Sequence, residues 1–387
     1  MRNPIQKLSK LLLAALILIA VVSCKKTDDG SQAAKSSEII VGEVGSMTGS
    51  EATFGSSTHQ GVELALKEIN SNGGIKGKKL KLVTLDDQGK ADEAATAVTR
   101  LISQDRVVAI LGEVASSRSL AMASIAQANK IPMISPSSTN PKVTEQGDYI
   151  FRVCFIDPFQ GQVMAKFAYE NLNLKKVAVL RDLKSDYSIG LSDFFTAEFK
   201  KLGGQIVGEQ TYSGGDTDFK AQLTSLRSKN AEALFIPGYY TDVALIARQA
   251  TDIGIKVPLL GGDGWDSPKL TEIGGESLEN SYFSTHYSPE DTSPQIQDFI
   301  KRYKEAYGVI PDGLAAMGYD AALVLADSLK RAKSSSASDL RDAIAATKDF
   351  QGVTGKINID SKRNAVKAAT VLKIVKGEQK FAATINP

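Results

Sequence analysis

From Glu38 onward, short apolar runs alternate with longer segments of helical periodicity. "EIIVGEVGSM" reads as a strand that ends in a loop carrying Gly45 and Gly49. In "SSTHQGVELALKEINSNGG", Val62, Leu66 and Ile69 recur at helical spacing, with Ser56 or Ser57 placed to cap the start and Gly73–Gly74 to end it. "KLKLVTLDD", "VVAILGE" and "IPMIS" predict further strands, separated by helices at "ADEAATAVTRLISQD" and "SSRSLAMASIAQAN". Strands and helices alternating at these lengths predict a parallel sheet covered on both faces. After the apolar run "YIFRVCF" the alternation restarts. Strands are predicted at "VAVLRD", "IVGEQTY", "EALFIPG" and "PLLGGD", with helices near Gly190–Leu202, Asp218–Ser228 and Tyr239–Ile253. The pattern therefore predicts two doubly wound α/β units in series, with the break near Phe155–Phe159. Beyond Thr285 come helices at "QIQDFIKRYKEAYG", "GLAAMGYDAALVLADSLKRA" and "SSSASDLRDAIAAT", then a closing strand or hairpin at "ATVLKIVKGEQK".

The first 37 residues break this pattern. Arg2, Lys7 and Lys10 precede an uninterrupted apolar run, Leu11 to Val22. A bilayer span needs about 20 such residues, so a basic start followed by a shorter run reads as an export signal. The run ends in "VVSC", which resembles the lipobox of bacterial lipoproteins. That resemblance implies a signal peptide over 1–23 and lipidation of Cys24; the alternative is a plain signal peptide with an incidental cysteine. "KKTDDGSQAAKSS" then reads as a flexible tether, so that 24–37 link the lipid to a fold beginning at Glu38. The only other cysteine, Cys154, lies in an apolar run and reads as a small buried hydrophobe with no partner for a disulfide.

Composition excludes more than it identifies. The net charge is +2 over 387 residues and becomes −1 once the three cations of the first 24 are removed. Nothing suggests a nucleic-acid binder. The two histidines, His59 and His286, are far apart, and His59 reads as a surface residue near a helix start. No His or Cys cluster has metal-ligand spacing, and "GEVGSMTG" and "GGIKGKK" fit neither phosphate-binding glycine pattern. No nucleophile elbow is present. The chain therefore reads as a binding protein rather than an enzyme, with no cofactor and no metal.

In doubly wound sheets ligands sit beyond the carboxyl ends of the strands. Here those ends read "GSMTGSEATFG", "GEVASS", "SPSSTNP", "RDLKSDYSIG", "PGYYTD" and "GGDGWDSP", rich in hydroxyls, glycines and aromatics, with Arg118, Lys142, Arg181 and Lys184 as the few cations. In "ISPSSTNP", Pro136 and Pro141 stiffen a loop carrying Ser137, Ser138 and Thr139.

Taken in order, "GSMTGSEATFGSSTHQGVELALKEINSNGGIKGKKL", "ILGEVASS", "MISPSSTNP", "LRDLKSDYSIG", "PGYYTD" and "LLGGDGW" resemble the branched-chain amino acid-type substrate-binding proteins of bacterial ABC transporters. The resemblance implies a type I periplasmic binding fold of two Rossmann-like lobes joined by a multi-strand hinge. It places an N-terminal lobe at 38–156 plus 287–364 and a C-terminal lobe at 157–286 plus 365–387. It further implies a monomer outside the cytoplasm, lipid-anchored to a membrane, that passes a small amino acid to a permease in the inner membrane. A ligand-sensing receptor, or a binder of amides or urea, shares the fold.

Carried residue by residue, the resemblance places Ser116, Ser137 and Thr139 at the ligand carboxylate, and Asp263 at the ligand ammonium, where the family has the longer Glu. Phe54, Tyr187, Tyr239 and Leu314 fall on the side-chain pocket, with Tyr240 competing with Tyr239 and Leu314 standing where the family has an aromatic. Trp265 belongs either to a pocket wall or to packing near the hinge. The chemistry is coherent, because a buried zwitterion needs both charges compensated. Hydroxyls and helix-start amides suit a carboxylate, and a carboxylate suits an ammonium. A ligand lacking the ammonium is expected to leave Asp263 buried and unpaired. Ser138 is expected to matter least of the three loop hydroxyls.

Overall fold

The computed structural model describes residues 38–387; the expected signal peptide, tether and lipidation at Cys24 lie outside the described residues. The first half winds strand, helix, strand without interruption: β1 (Glu38–Gly45), α1 (Ala52–Ser71), β2 (Lys79–Asp86), α2 (Ala91–Ser103), β3 (Ala109–Leu111), α3 (Ser116–Ala128), β4 (Met133–Ser135), α4 (Lys142–Glu145) and β5 (Ile150–Arg152). All pairings are parallel, in the order β2-β1-β3-β4-β5. Order reverses between β1 and β3, and that switch point opens a crevice at the strand carboxyl ends.

The second half repeats the scheme with α5 (Asp157–Lys166), β6 (Lys176–Asp182), α6 (Asp186–Lys201), β7 (Gln205–Tyr212), α7 (Lys220–Arg227), β8 (Ala233–Phe235), α8 (Tyr240–Asp252), β9 (Leu259–Gly261), α9 (Pro268–Gly274) and β10 (Tyr282–Thr285). Its sheet runs β7-β6-β8-β9-β10, with the same reversal next to the first strand. The chain then returns to the first sheet as α10 (Pro294–Tyr307), α11 (Gly313–Arg331) and α12 (Ala337–Ala345), with a small antiparallel sheet of β11 (Phe350–Gly352), β12 (Gly355–Ile359) and β13 (Ala365–Val366). It crosses once more to finish as β14 (Ala369–Val375) and β15 (Glu378–Ile385), antiparallel on the second sheet. Three connections thus join the lobes: after β5, after β10, and between β13 and β14.

The core follows these layers. Val62, Ala65 and Leu66 of α1 share one buried cluster with Ala315, Ala322 and Leu325 of α11 and Phe299 of α10. The α1–α11 crossing is close because glycines line it: a Cβ on Gly61 falls 2.0 Å from the Ala315 carbonyl oxygen, and one on Gly318 falls 2.3 Å from that of Thr58. In the second lobe, Phe195 and Phe199 of α6 pack against Val177, Val179 and Phe235 beneath the sheet.

Two local expectations need correction. Helix α1 begins at Ala52, a turn before Ser56 or Ser57, and its preceding residue, Glu51, makes no side-chain cap. Gly55 permits this early start: its N–H donates to the Ser46 carbonyl at 3.2 Å, where a Cβ falls 2.3 Å from the same oxygen. Ser56 instead donates to the Ala52 carbonyl at 2.9 Å and Ser57 to Asp312 at 2.6 Å. The run "YIFRVCF" pairs only over Ile150–Arg152, and its remainder is the first connection. Helix α5, which opens on Asp157-Pro158, has no counterpart in the sequence reading.

Candidate functional site

The loop after β4 has two faces. On the inner face, Ser138 Oγ lies 2.7 Å from Ser119 Oγ and 2.9 Å from the Val114 carbonyl oxygen. Its N–H donates to Ser135 Oγ at 2.9 Å. Arg152, fully buried on β5, reaches behind the loop: Nη1 donates to the Ser138 carbonyl and Nη2 to that of Asn140 at 2.7 Å. The loop is therefore held by its carbonyls, which turns the flanking side chains, Ser137 and Thr139, away from the scaffold. Ser137 Oγ donates to Asp263 Oδ2 at 3.3 Å, a contact between lobes. Thr139 Oγ1 is buried and lies beside the equally buried carboxylate of Asp157, without a hydrogen bond of good geometry between them. Burial pushes the Asp157 carboxyl up to about 8; the nearby Thr139 hydroxyl tempers that rise and Asp263 adds to it.

Ser116 is the first residue of α3, and Ala115 occupies the cap position. Its hydroxyl accepts from the Asn140 N–H at 3.2 Å, tying the helix start to the β4 loop. The two strand-end arginines are committed elsewhere. Arg118 Nε donates to Glu113 at 2.9 Å and its Nη1 pairs with Glu51 at 2.7 Å, while Arg181 pairs with Asp193 at 2.6 Å.

Asp263 sits in the turn after β9, 4% exposed. It has partners within the protein that the sequence reading did not include. Oδ1 accepts from Gln160 Nε2 at 2.8 Å, and Oδ2 lies 3.1 Å from His286 Nε2. Gln160 comes from α5 and His286 directly follows β10; neither was singled out. Gln160 belongs to the helix that pattern reading missed. His286 was within reach, because "YFSTHYSP" is also a strand carboxyl end. His59 is likewise no plain surface residue: its Nδ1 lies 2.6 Å from the buried Glu43, and that hydrogen bond raises its pKa.

Phe54, Val114, Ser137, Tyr187, Tyr239, Asp263, Gly264 and Leu314 enclose one void between the lobes, about 10 Å³ in volume. That is room for one water-sized sphere. Tyr187 and Tyr239 stack at 5.3 Å with 8° between planes, Phe54 meets Tyr239 edge-on at 5.3 Å, and the Tyr187 hydroxyl accepts from Gly264 N–H at 3.1 Å. Tyr239, not Tyr240, borders the void; the Tyr240 hydroxyl accepts from the Thr53 N–H at 3.3 Å. Leu314 is placed by the start of α11, where Asp312 caps the Ala315 N–H at 2.8 Å. Ser116 and Thr139 are buried nearby but do not border the void. Trp265 is core: its indole N–H donates to the Ile236 carbonyl at 2.9 Å and its ring covers Gly261.

Further contacts bridge the lobes at the rim. Ser117 Oγ donates to Asp186 Oδ2 at 2.9 Å, Asn140 Nδ2 to the Asp186 carbonyl at 2.7 Å, and Thr53 Oγ1 lies 2.9 Å from Ser267 Oγ. Among the described residues no cluster of His, Cys, Asp and Glu is arranged to hold a metal ion, and no helix is long and apolar enough to cross a membrane.

Two lobes of one winding, closing on a crevice at both switch points, define a solute-binding architecture. The chain belongs to the periplasmic binding protein family, whose family model matches residues 38–379. It is 32% identical over 306 residues to a Leu/Ile/Val-binding protein homolog of Brucella melitensis, covering 79% of this chain and 82% of the relative. Among solved structures it is similar to the leucine binding protein LivK of Thermotoga maritima, with 44% identity and a TM-score of 0.87 over 90% of this chain and 99% of the other. It is also similar to the branched-chain amino acid transporter substrate binding protein LivJ of Streptococcus pneumoniae, solved in complex with isoleucine, with 35% identity, a TM-score of 0.86, and 90% and 100% coverage.

Proposed function

We propose that this chain is the solute-binding component of an ABC transporter. It captures a branched-chain amino acid between its lobes outside the cytoplasm and hands it to a membrane permease. The observation that carries the reading is one void with opposite chemistries on its two sides. The first lobe brings Ser137 to the void, with Ser116 at the start of α3 and Thr139 both buried behind it. The second brings the buried acid Asp263. Phe54, Tyr187, Tyr239 and Leu314 form the apolar wall for the side chain. The carboxylate is received by hydroxyls and the amides opening α3, the ammonium by Asp263. The printed names of the relatives support the same ligand class. Anchoring through a lipid on Cys24 completes the reading, since a tethered binder stays near its permease, and the protein acts as a monomer that performs no catalysis.

The void is far smaller than a leucine side chain, so entry requires the lobes to part about their three connections. The test is thermal unfolding of the Glu38–Pro387 unit with each of the twenty amino acids, urea and acetamide. Leucine, isoleucine and valine are expected to raise the melting temperature by mass action. No shift with any amino acid, or a shift with urea or acetamide alone, overturns the assignment.

A further inference from the structure

His286 is a buried titratable group that nothing in the ligand reading uses, yet it touches the residue on which that reading turns. It sits at the start of the second connection between lobes, with no side-chain exposure. Its Nε2 lies 3.1 Å from Asp263 Oδ2 and 3.4 Å from Ser137 Oγ, so it meets both lobes at one point. Its ring lies over Phe155 with centroids 4.0 Å apart. A carboxylate only accepts, so Nε2 carries the hydrogen and donates it, leaving Nδ1 as the bare nitrogen. Nδ1 is buried and has no hydrogen-bond partner among the described residues. Protonation there buries an N–H with no acceptor beside an apolar ring, and sets a cation against the carboxylate that the ammonium must share.

We propose that His286 is a positioning residue for ligand recognition: as a neutral imidazole it fixes the Asp263 carboxylate for the ligand ammonium, and its protonation competes with that ammonium. This rests on the reading that Asp263 receives an ammonium. The groups facing His286 are consistent with it. Asp263 comes from the turn after β9, Ser137 from the loop after β4, Phe155 from the first connection and Lys367 from the third. Gln160 and Asp157 of α5 act through Asp263, which Gln160 holds by its other oxygen at 2.8 Å. Burial holds the His286 pKa below its usual value; Asp263 opposes this and the Lys367 charge adds to it. The sign follows. Proton and ammonium compete for one carboxylate, so affinity is full above the His286 pKa and falls as pH drops through it, and binding in that range releases a proton.

The experiment titrates L-leucine calorimetrically into wild type, H286L and H286Q between about pH 5 and about pH 7. Wild-type affinity is expected to fall in acid. H286L is expected to lose roughly tenfold at the neutral end, having lost the donor to Asp263. H286Q, whose amide nitrogen reaches the same point, is expected to recover part of that loss and to lack the acid-dependent fall. Asp157 titrates higher and is common to all three proteins, so it cancels in the comparison. Equal pH profiles for wild type and H286Q, or wild-type affinity in H286L, overturn the proposal. Nitrogen-15 NMR of the imidazoles separates this from failure of the ligand reading, because the chain has only two histidines. If wild type binds no amino acid, the ligand reading has failed. A His286 protonated at Nδ1 instead of Nε2 means that the His286–Asp263 pair itself is wrong.

Discussion

Adjacent hydroxyls in the β4 loop do different work because the backbone alternates their direction. Ser138 points into the scaffold, where it lies against two carbonyls and Ser119. Ser137 points across the crevice to Asp263. Ser138→Ala removes a buried donor and leaves carbonyls short of a partner, which is expected to cost about 1–3 kcal/mol of stability. Ser137→Ala and Thr139→Ala are expected to weaken ligand binding by roughly tenfold each with little loss of stability. Urea unfolding alongside titration of each variant checks the separation; loss of affinity in Ser138→Ala at full stability contradicts it. At this scale the sequence was partly legible. The strand-end rule pointed to the loops that carry Ser137 and Asp263, because ligand position in this winding depends on topology, while the roles of the two residues entered through the family resemblance. Gln160 was not found, because α5 meets the turn after β9 only in space; His286 directly follows the next strand, β10, whose carboxyl end was not among those read.

At the level of elements, the binding loop is shaped from behind. Arg152 is fully buried on β5, a strand of three residues, and spends its guanidinium on backbone carbonyls of the β4 loop. Burying this cation without an ion pair among the described residues is costly, and burial lowers its pKa. Carbonyl dipoles offset the cost and gain a fixed loop geometry. Arg152→Met keeps the volume but leaves the Ser138 and Asn140 carbonyls unpaired. The expected result is about 2–4 kcal/mol of destabilisation, with loss of ligand binding in the fraction that remains folded. Wild-type binding in a stable Arg152→Met variant excludes Arg152 as the loop's support. Strands β1 to β4 were legible as apolar runs bounded by loops. The early start of α1 was not, because it depends on Gly55 fitting against the Ser46 carbonyl, a contact that no local pattern encodes.

On the scale of the whole molecule, two similar windings are joined by three connections, so the lobes can turn about a common axis while each keeps its own core. Both switch points face one crevice. The rim contacts of Ser117 and Asn140 with Asp186 and of Thr53 with Ser267 hold that crevice closed, and polar groups that water can satisfy on opening suit a motion that must reverse. The repeat of the winding was legible from the restart of strand–helix alternation after "YIFRVCF". The return of α10 and α11 to the first lobe entered only through the family resemblance, since helical periodicity does not say which sheet a helix covers. The central claim is that closure is driven by a zwitterion gripped from both lobes. The most direct test is a calorimetric titration of the Glu38–Pro387 unit with L-leucine beside 4-methylpentanoic acid, which keeps the side chain and carboxylate but lacks the amine. The account predicts micromolar or tighter binding of leucine, about −8 kcal/mol or better, and at least a hundredfold weaker binding of the acid. Equal affinities for the two contradict it.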